Sequence, residues 1–495
     1  MKIIRDLVYD YIEIDEFEES IINTRHFQRL KDIRQLTAQH VFPSATHNRF
    51  EHSLGVFELS IKFFKQLRKV LKKDKFSLSE EELDKLEINL RIAALLHDVG
   101  HAPYSHLGER YYVIPKIKKE INDVLKQKNI CVDQSVFSKG AGHEIMSCYI
   151  ILKYYSDIIK SKTENYELIC RCITGVKYTQ GALWKENLII ELLNSSTIDI
   201  DKLDYLVRDA IMTRAGVPPI DVNRLARNIN VNPSRHNVTF NVQAIPVLQN
   251  IIEARDSMYL WVYNHHITVY TDFLMEFFLK HLIVNYESKN RYSDKLNPDD
   301  YFSCKAIGEE LISDSELYGK LKQTRILSQT SAYTQKISPQ LFERKFLKPL
   351  WKTIYEYKQF MTVNVPDIGL RKELQEKMCN LDDYDYRRYL AIELIHRCNL
   401  SMGDIFIVPR SNKFYSYSAD KIFTVFINEG DKDIGDLLPQ KQYDDFFDKV
   451  AFYVFVPETK KVEVEEALID IVKYKLPDKE ELAKTPKTEL DWLKY

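Results

Sequence analysis

Histidine and aspartate are concentrated in the first third of the sequence, in a pattern that suits metal chemistry. Six of the thirteen histidines lie between positions 47 and 143, and three of these occur in AALLHDVGHAPYSHLGE, residues 93–109. The apolar run AALL predicts a buried helix that ends at His97 and Asp98. Because a buried ionised carboxylate is costly unless it is paired or binds a cation, this pair indicates a divalent metal.

Further ligands for such a metal must come from other segments, because adjacent residues of a helix point about 100° apart. His52 in NRFEHSLGV and one acid of IDIDKLDYLVRD, residues 198–209, are the candidates. The residues alone leave Asp199, Asp201 and Asp204 open. Imidazole and carboxylate ligands suit hard or borderline ions, so we expect Mn, Fe, Mg, Zn, Ni or Co. A catalytic site of this kind keeps positions free for water and a phosphate oxygen.

A single His-Asp pair is more often a surface or helix-capping pair than a metal site. The ordered set of a histidine, a His-Asp pair and a later aspartate on a helix is what favours the metal. Composition adds no competing indication, since the net charge is -2 and gives no sign of a nucleic-acid or anionic-membrane partner.

The remaining global features are typical of a large globular chain. MKIIRDLVYDYIEID is charged from its second residue on, which predicts no secretory signal, and no run of eighteen apolar residues is present to span a membrane. The seven cysteines are scattered and odd in number. We expect Cys170 and Cys172 to be reduced packing residues, which favours a cytoplasmic location.

The elements that must position these residues are mostly helical. Gly and Pro are few, at 14 and 16, and residues 57–71, 143–155, 199–212 and 268–284 carry helical apolar spacing. We therefore predict a helical domain over residues 1–400.

The C-terminal part has a different character. Residues 402–409, 421–427 and 450–456 are rich in β-branched and aromatic residues and predict strands. Residues 461–475 predict a helix. We expect a small α+β subdomain over residues 401–480, followed by a charged tail, 481–495.

The ordered set His…His-Asp…Asp is the signature of the HD superfamily, and the similarity extends over most of the chain. The matching segments resemble the vertebrate SAM-and-HD-domain deoxynucleoside triphosphate (dNTP) triphosphohydrolases and their bacterial relatives, without the SAM domain. This resemblance implies an HD-type helical core that cleaves a dNTP into deoxynucleoside and inorganic triphosphate. The segments are NTRHFQRLKDIRQL (23–36), FPSATHNRFEHSLGV (42–56), LLHDVGHAPYSH (95–106), GHE (142–144), IDIDKLDYLVRD (198–209) and ARDSMYLWVYNHH (254–266).

The resemblance implies a role for particular residues around the reacting phosphate. Water or an imidazole would attack the α-phosphorus, and a second histidine would protonate the leaving 5′-oxygen, since the imidazole pKa lies near working pH. Glu109 stands where the family has Asp. The metal ligands would be His52, His97, Asp98 and Asp201, the phosphate clamp Arg49, the catalytic histidines His101, His106 and His143, and the supporting acid Glu144.

The resemblance also implies contacts to the rest of the substrate. Lys202 and Arg255 would neutralise the triphosphate. Tyr205 and Tyr263 would pack against the sugar. Gln35 and Asp209 would form hydrogen bonds with its 3′-hydroxyl. Leu36 would exclude a 2′-hydroxyl. The alternatives are that Leu36 and the tyrosines are core residues, and that Lys202 and Asp209 are solvated helix charges.

One regulatory segment departs from the vertebrate pattern. Asn23 and Lys31 stand where the vertebrate enzyme has an acid that reads guanine and an arginine, whereas Gln28 is retained. An amide lacks the paired acceptors of a carboxylate, so activation by GTP is unsupported and another nucleotide effector is left open. The resemblance further implies a homo-oligomer, a tetramer or dimer.

Two other functions compete with dNTP cleavage. One is a phosphohydrolase of the same superfamily that acts on a signalling nucleotide or a nucleoside monophosphate. The other is a non-catalytic protein that binds nucleotides or nucleic acid on this fold, which has no need for four intact metal ligands.

Overall fold

The structure is a computed structural model, and it divides into two compact units. It describes residues 1–195, 198–287, 296–327, 332–379, 384–409, 424–427, 430–433, 452–474, 477–478, 480 and 482. The first unit comprises Met1–Met258, Pro298–Tyr318 and Tyr415–Lys441, and the second comprises Tyr259–Asn297, Gly319–Phe414 and Gln442–Tyr495.

Helices make up most of the described chain, which confirms the predicted mostly α fold class. All four segments with helical apolar spacing lie in helices. In chain order the α-helices are α1 Glu16–Ile22, α2 Arg25–Arg29, α3 Arg49–Leu71, α4 Glu80–Leu96, α5 His106–Glu109, α6 Ile114–Lys128, α7 Gly142–Ile150, α8 Ser156–Ile159, α9 Tyr166–Thr174, α10 Trp184–Leu193, α11 Ile200–Thr213, α12 Val222–Arg227, α13 Ile245–Met258, α14 His266–Glu287, α15 Asp299–Phe302, α16 Cys304–Gly308, α17 Asp314–Leu327, α18 Ala332–Phe342, α19 Ile354–Asn364, α20 Ile368–Cys379, α21 Tyr384–Arg397 and α22 Lys461–Lys473.

Short strands form three small sheets in the described part of the chain. An N-terminal antiparallel hairpin and a four-stranded sheet in the order β3-β4-β7-β8 lie in the first unit, and a three-stranded sheet in the order β5-β9-β6 lies in the second. The strands are β1 Lys2–Asp6, β2 Asp10–Ile14, β3 Ile229–Val231, β4 Val238–Asn241, β5 Lys348–Pro349, β6 Phe406–Pro409, β7 Thr424–Ile427, β8 Gly430–Asp433 and β9 Phe452–Val456.

The three predicted C-terminal strands coincide with β6, β7 and β9, although they belong to two different sheets. β6 pairs with β9, and all five residues of β9 are buried. β7 instead pairs in parallel with β4 of the first unit. The predicted helix at 461–475 is α22. The domain limits at 400 and 480 stay predictions, and the tail 481–495 lies, apart from Leu482, outside the described residues.

Two long helices form the scaffold on which the chemically interesting residues lie. Asn48 caps α3 by accepting a hydrogen bond from the backbone of Glu51, and Ser79 forms a capping box with Glu82 at the start of α4. Both helices bury an apolar face in the first unit. The fully buried residues of these two faces include Phe57 and Leu67 on α3 and Leu83 and Leu90 on α4.

Glycine allows two unusually close approaches beside these helices. A Cβ on Gly55 of α3 would lie 1.9 Å from Oδ1 of Asp204 on α11. A Cβ on Gly100, directly after α4, would lie 2.2 Å from the backbone nitrogen of Ser147 on α7. Real side chains do not tolerate such contacts, so Gly55 lets α11 pack closely on α3, and Gly100 lets α7 pack closely on the segment that follows α4.

Two predictions from composition can be compared with the described residues. Cys170 and Cys172 are buried and free, as expected for packing residues. Within the described part of the chain, no helix has the length and apolar character that a membrane crossing requires.

Candidate active site

The four predicted metal ligands come together from three helices of the first unit. His52 lies on α3, His97 and Asp98 follow the last residue of α4, and Asp201 lies in the first turn of α11. Nε2 of His52 is 3.3 Å from Nε2 of His97 and 3.0 Å from Oδ1 of Asp201. It is also 3.6 Å from Oδ2 of Asp98. The segments that the sequence separates by about a hundred and fifty residues thus meet at one point.

The hydrogen bonds behind the two imidazoles aim both Nε2 atoms into this point. Nδ1 of His97 lies 2.8 Å from the carbonyl oxygen of Ala94, and Nδ1 of His52 lies 2.7 Å from Oδ2 of Asp204. Each Nδ1–H therefore donates outward, so that a neutral ring presents the lone pair of its Nε2 to this point. Two lone pairs and two carboxylates that face one another repel unless a cation lies between them. The residues therefore fit a divalent metal.

The pKa shifts of His52, Asp98 and Asp201 also indicate that positive charge is favoured among these side chains. Burial disfavours a charged imidazole at His52, but hydrogen bonds to Asp201 and Asp204 outweigh it and raise the pKa of His52 to about 10. Burial likewise opposes ionisation of Asp98, yet the nearby positive charge of Arg49 holds the pKa of Asp98 well below its usual value. The pKa of Asp201 is lowered by its bond to His52, against the effect of burial.

The three acids that the residues alone could not separate occupy three different positions. Asp199 is the N-cap of α11 and accepts a hydrogen bond from the backbone of Lys202 at 2.8 Å. Asp201 faces Nε2 of His52. It thus lies among the four candidate ligands His52, His97, Asp98 and Asp201, which are called the metal group below. Asp204, one turn later, binds Nδ1 on the far side of the same imidazole. Of the three acids, Asp201 is thus the one beside both candidate imidazoles, at 3.0 Å from His52 and 3.8 Å from His97, and its part as a metal ligand stays a prediction.

Arg49 lies directly against the metal group. Its Nη1 donates to Oδ2 of Asp98 at 2.8 Å, and its Nε donates to Oγ of Ser105 at 3.1 Å. Ser105 and its neighbour Tyr104 both have positive φ, 51° and 58°, a conformation that costs energy in residues other than glycine. The carboxylate of Asp314 accepts the backbone N–H of Tyr104 at 2.7 Å, which holds this loop in place.

A second cluster adjoins the first through His101. Three imidazoles converge on Glu109: Nδ1 of His101 is 2.7 Å from Oε1, Nδ1 of His143 is 2.9 Å from Oε2, and Nδ1 of His106 is 3.3 Å from Oε1. On its other side, Nε2 of His101 is 3.0 Å from Oδ1 of Asp98. The rings of His101 and His143 stack at 4.1 Å. The carboxylate of Glu109 therefore contacts all three histidines.

The three imidazoles differ in exposure and in proton affinity. Burial and the charge of Arg49 lower the pKa of His101 to about 4. Burial also disfavours a charged His143, but the carboxylate of Glu109 outweighs it and raises the pKa of His143 to about 9. The side chain of His106 is 70% exposed, whereas that of His101 is fully buried. At neutral pH the cluster thus contains a protonated His143 beside a neutral His101.

Glu144 lies at the start of the helix that carries His143. Its Oε2 accepts the backbone N–H of Ala141 at 2.7 Å, and its Oε1 accepts a hydrogen bond from Asn194 at 2.8 Å. Both carboxylate oxygens are therefore engaged with neighbours that fix the first turn of α7. Its predicted part as a supporting acid stays a prediction.

The residues predicted to bind the sugar hydroxyl lie beside a buried histidine that the motifs did not assign. Nε2 of His47 is 2.6 Å from Oδ1 of Asp209, and both side chains are buried. The backbone N–H of Gln35 donates to the carbonyl of His47 at 3.1 Å. Among the described residues, Oε1 of Gln35 and Nδ1 of His47 are buried without a hydrogen-bond partner. Leu36 follows Gln35 and is half-buried.

The residues predicted to face the triphosphate are placed as follows. Lys202 donates to the carboxylate of Asp199 and to the carbonyl of Ser195. Arg255 is buried on α13. Burial disfavours the charged ammonium of Lys202, but the carboxylates of Asp199 and Asp201 outweigh burial and the charge of Arg255, so the pKa of Lys202 is raised. Tyr205 is half-buried on α11.

The remaining predicted residues lie outside these clusters. Tyr263 lies in the second unit, in a π-helical turn where its ring packs against Tyr259. At the predicted regulatory segment, Nε2 of Gln28 donates to the carbonyl of Ile22, and the exposed Lys31 lies over the ring of Phe50. Asn23 is exposed and bonds to Glu19.

Several polar residues around the site were missed from the sequence. Arg208 has a sequence signal, because it stands four residues after Asp204 and such pairs meet on a helix. His47 has a weaker one in its place between two other histidines. Ser105 and Asp314 have none, because their contacts join segments far apart in the chain.

Comparison with known proteins places the site in one family. Residues 49–207 match the HD domain, and this range contains all four candidate ligands. A deoxynucleoside triphosphate triphosphohydrolase SAMHD1 homolog of Dictyostelium discoideum is 29% identical over 281 residues, 55% of this chain and 48% of that protein. The bovine deoxynucleoside triphosphate triphosphohydrolase SAMHD1 is 32% identical over 222 residues, 42% of this chain and 35% of that protein.

An uncharacterised protein of Methanocaldococcus jannaschii is 31% identical over 268 residues, 54% of this chain and 46% of that protein. The chain thus spans a third to a half of these curated relatives. Two crystal structures share the fold. A hypothetical protein from Aquifex aeolicus has a TM-score of 0.61 at 20% identity, over 94% of this chain and 99% of that chain. A phosphohydrolase from Bacteroides thetaiotaomicron has a TM-score of 0.58 at 18% identity, over 92% and 100%.

Proposed function

This chain belongs to the HD-domain phosphohydrolases, and we propose that it cleaves a dNTP into a deoxynucleoside and inorganic triphosphate. The observation that carries the proposal is the direct connection between the metal group and the imidazole cluster, through His101. That residue lies between Asp98 and Glu109, so proton-transfer groups adjoin the place where a phosphoryl oxygen would bind. Relatives named as dNTP triphosphohydrolases, among them the proteins of Dictyostelium discoideum and cattle, support the choice of substrate.

The dependence of HD domains on a metal agrees with the donor set found in this chain. His52, His97, Asp98 and Asp201 would hold the ion through two imidazole nitrogens and two carboxylates. When bound, a divalent cation supplies Lewis acidity at the phosphoryl group. The protein contributes by directing both Nε2 atoms toward the ion and by surrounding the group with buried side chains.

The imidazole cluster would handle the protons of the reaction. His143, protonated at neutral pH because of Glu109, is suited to give a proton to the leaving 5′-oxygen. His101 is neutral and is suited to accept a proton from the attacking water. Glu109 would orient both rings and stabilise the imidazolium. His106 is exposed and would lie on the side of the cluster from which a substrate enters.

Three cationic residues would bind the triphosphate. Arg49 donates to Asp98 and therefore lies where an α-phosphate would meet the metal, and a planar guanidinium suits phosphate oxygens. Lys202 and Arg255 would take the outer phosphates. Lys202 is held by Asp199 in the structure, so binding requires its ammonium group to turn toward the substrate.

The sugar contacts would explain a preference for deoxynucleotides. Oε1 of Gln35 is a buried acceptor without a donor in the described part of the chain, and such an atom is costly unless a ligand supplies the donor. A 3′-hydroxyl would donate its single proton to one of two acceptors, Oε1 of Gln35 or the carboxylate of Asp209. Leu36, next to Gln35, would exclude a 2′-hydroxyl, and Tyr205 would pack against the sugar ring.

Regulation and assembly belong to the same proposal. Asn23 and Lys31 do not offer a guanine-reading carboxylate, so we expect an effector other than GTP, if a nucleotide effector binds. A homo-oligomer, tetramer or dimer, is expected from the resemblance.

A product-resolved assay tests the proposed function. The metal-loaded protein is incubated with each dNTP and NTP, and phosphate, pyrophosphate and triphosphate are separated. We expect triphosphate and deoxynucleoside from at least one dNTP and little product from NTPs. Release of phosphate or pyrophosphate instead would identify a different phosphohydrolase, and no turnover of any nucleotide would contradict the proposal.

A ligand variant and a matched control show whether the predicted metal site carries this activity. His97→Ala should lower turnover by about a hundredfold or more, because a metal supplies several kcal/mol of transition-state stabilisation. His396→Ala removes an exposed histidine at the end of α21 and should leave turnover unchanged. Nucleotide binding should survive in both variants.

A further inference from the structure

A chain of buried charges leads from the N-terminal hairpin to the metal group. It begins at Asp6, at the end of β1, and passes through Arg208 and Asp204 on α11 to His52 on α3. Three separate elements of the first unit are thus joined by side chains alone. The motifs assign no role to Asp6 or to Arg208.

Each link of this chain is a close contact. Nδ1 of His52 lies 2.7 Å from Oδ2 of Asp204. Arg208 holds Asp204 with two donors, Nε to Oδ2 at 2.9 Å and Nη2 to Oδ1 at 3.1 Å. With its outer edge Arg208 binds Asp6 in the same way, Nη1 to Oδ2 at 2.9 Å and Nη2 to Oδ1 at 3.3 Å.

The chain is shielded from water along its whole length. The side chains of His52 and Asp204 are fully buried, and those of Arg208 and Asp6 are 2% and 5% exposed. Asp6 is itself fixed, because its Oδ1 accepts the backbone N–H groups of Val8 and Tyr9 in the hairpin turn. In such surroundings a hydrogen bond is stronger than in water, and an unpaired partner is costly.

The close approach at Gly55 shows how little room the chain has. A Cβ at this position would lie 1.9 Å from Oδ1 of Asp204 and 2.5 Å from Nη2 of Arg208. The carboxylate of Asp204 is therefore confined by the backbone of α3 on one side and by the guanidinium on the other. Its orientation decides in turn how the imidazole of His52 is aimed.

We propose that Asp6 is a positioning residue for the metal ligand His52, so that the N-terminal hairpin contributes to metal affinity. This inference rests on the proposed role of His52 as a ligand. Asp6 holds the plane of the Arg208 guanidinium, the guanidinium holds Asp204, and Asp204 fixes the proton and the orientation of the imidazole. Partners of metal ligands are known to affect affinity in this manner.

Binding of Mn²⁺ to the metal-free full chain tests the inference without reference to catalysis. The signal of free Mn²⁺ in electron paramagnetic resonance gives the dissociation constant. Asp6→Asn should weaken binding by about fivefold or more, and Arg208→Lys, which loses the double fork on both sides, should weaken it by about 10–100-fold. Asp10→Asn is the matched control, because Asp10 is an exposed aspartate of the same hairpin.

A purely structural ion pair would give a different result. The metal-free Asp6→Asn protein would then unfold at a lower temperature while its Mn²⁺ affinity stayed within about twofold of that of Asp10→Asn, and the inference would be wrong. His52→Ala separates this failure from failure of the site itself. If His52→Ala binds Mn²⁺ as tightly as the wild type, the site assignment has failed rather than the positioning role of Asp6.

Discussion

At the scale of single residues, the site depends on which face of a side chain each neighbour occupies. Asp201 and Asp204 both approach the ring of His52, but one meets Nε2 and the other Nδ1. The first position suits a metal ligand and the second suits a hydrogen-bond acceptor that fixes the tautomer. Spacing along the helix does not by itself assign these positions.

Asparagine substitutions of two neighbouring acids should separate these functions. Asp201→Asn should abolish tight Mn²⁺ binding and lower turnover by about a hundredfold or more, because an amide is a weaker ligand than a carboxylate and does not neutralise the cation. Asp199→Asn should keep the metal, since asparagine caps a helix about as well as aspartate. Metal content after gel filtration measures both. Loss of metal in Asp199→Asn alone would contradict the assignment.

The pH dependence of turnover should report the pair His143 and Glu109. Glu109 raises the pKa of His143 to about 9 against the opposing effect of burial. In Glu109→Gln burial prevails, so the pKa of His143 falls and the proton donor is lost at lower pH. The basic limb of the kcat/KM profile should therefore move down from near pH 9. A limb that stays in place in Glu109→Gln would exclude His143 as the donor.

At the scale of elements, local patterns predict helices and strands better than they predict which elements meet. The segment 199–212 is predicted as a helix and is observed as α11 at Ile200–Thr213. The strand at 424–427 is predicted as well, but its partner β4 lies almost two hundred residues earlier. Pairing of this kind depends on contacts between distant segments, which a local pattern does not contain.

The same limit applies to the site. The motifs identify His52, His97, Asp98 and Asp201, and the structure brings them together. Glu109 was identified, but its contact with three histidines follows from the turn between α4 and α5. Asp314 was not identified, because it reaches the site from a segment more than two hundred residues after Tyr104.

The close packing of α3 on α11 gives a prediction at this scale. Gly55→Ala should lower the free energy of unfolding of the metal-free protein by about 1–3 kcal/mol, because the added methyl group overlaps Asp204. Gly181→Ala is the control, since nothing lies within 4 Å of the added Cβ there. Chemical denaturation of both variants measures the difference. Equal stability would mean that α11 has more room than the structure shows.

At the scale of the whole molecule, the chain combines an HD domain within its first unit with a second unit of mixed α and β structure. The HD match covers residues 49–207, whereas the likeness to the crystal structure from Aquifex aeolicus covers 94% of the chain. The fold is thus shared well beyond the segment that carries the metal group. The homo-oligomer and the nucleotide effector are both proposals about the whole chain.

Dilution tests the proposed homo-oligomer. If subunits complete one another's sites, specific activity should fall as the protein is diluted below the dissociation constant of the oligomer, and the fall should coincide with a change in mass by light scattering. Specific activity that stays constant while the mass decreases would show that each subunit is active alone.

Anomalous diffraction from crystals grown with Mn²⁺ tests the central claim most directly. We predict one strong manganese peak within coordination distance of Nε2 of His52, Nε2 of His97 and the carboxylates of Asp98 and Asp201. A peak elsewhere, or no peak at these four side chains in crystals of protein that binds Mn²⁺ in solution, would contradict the account.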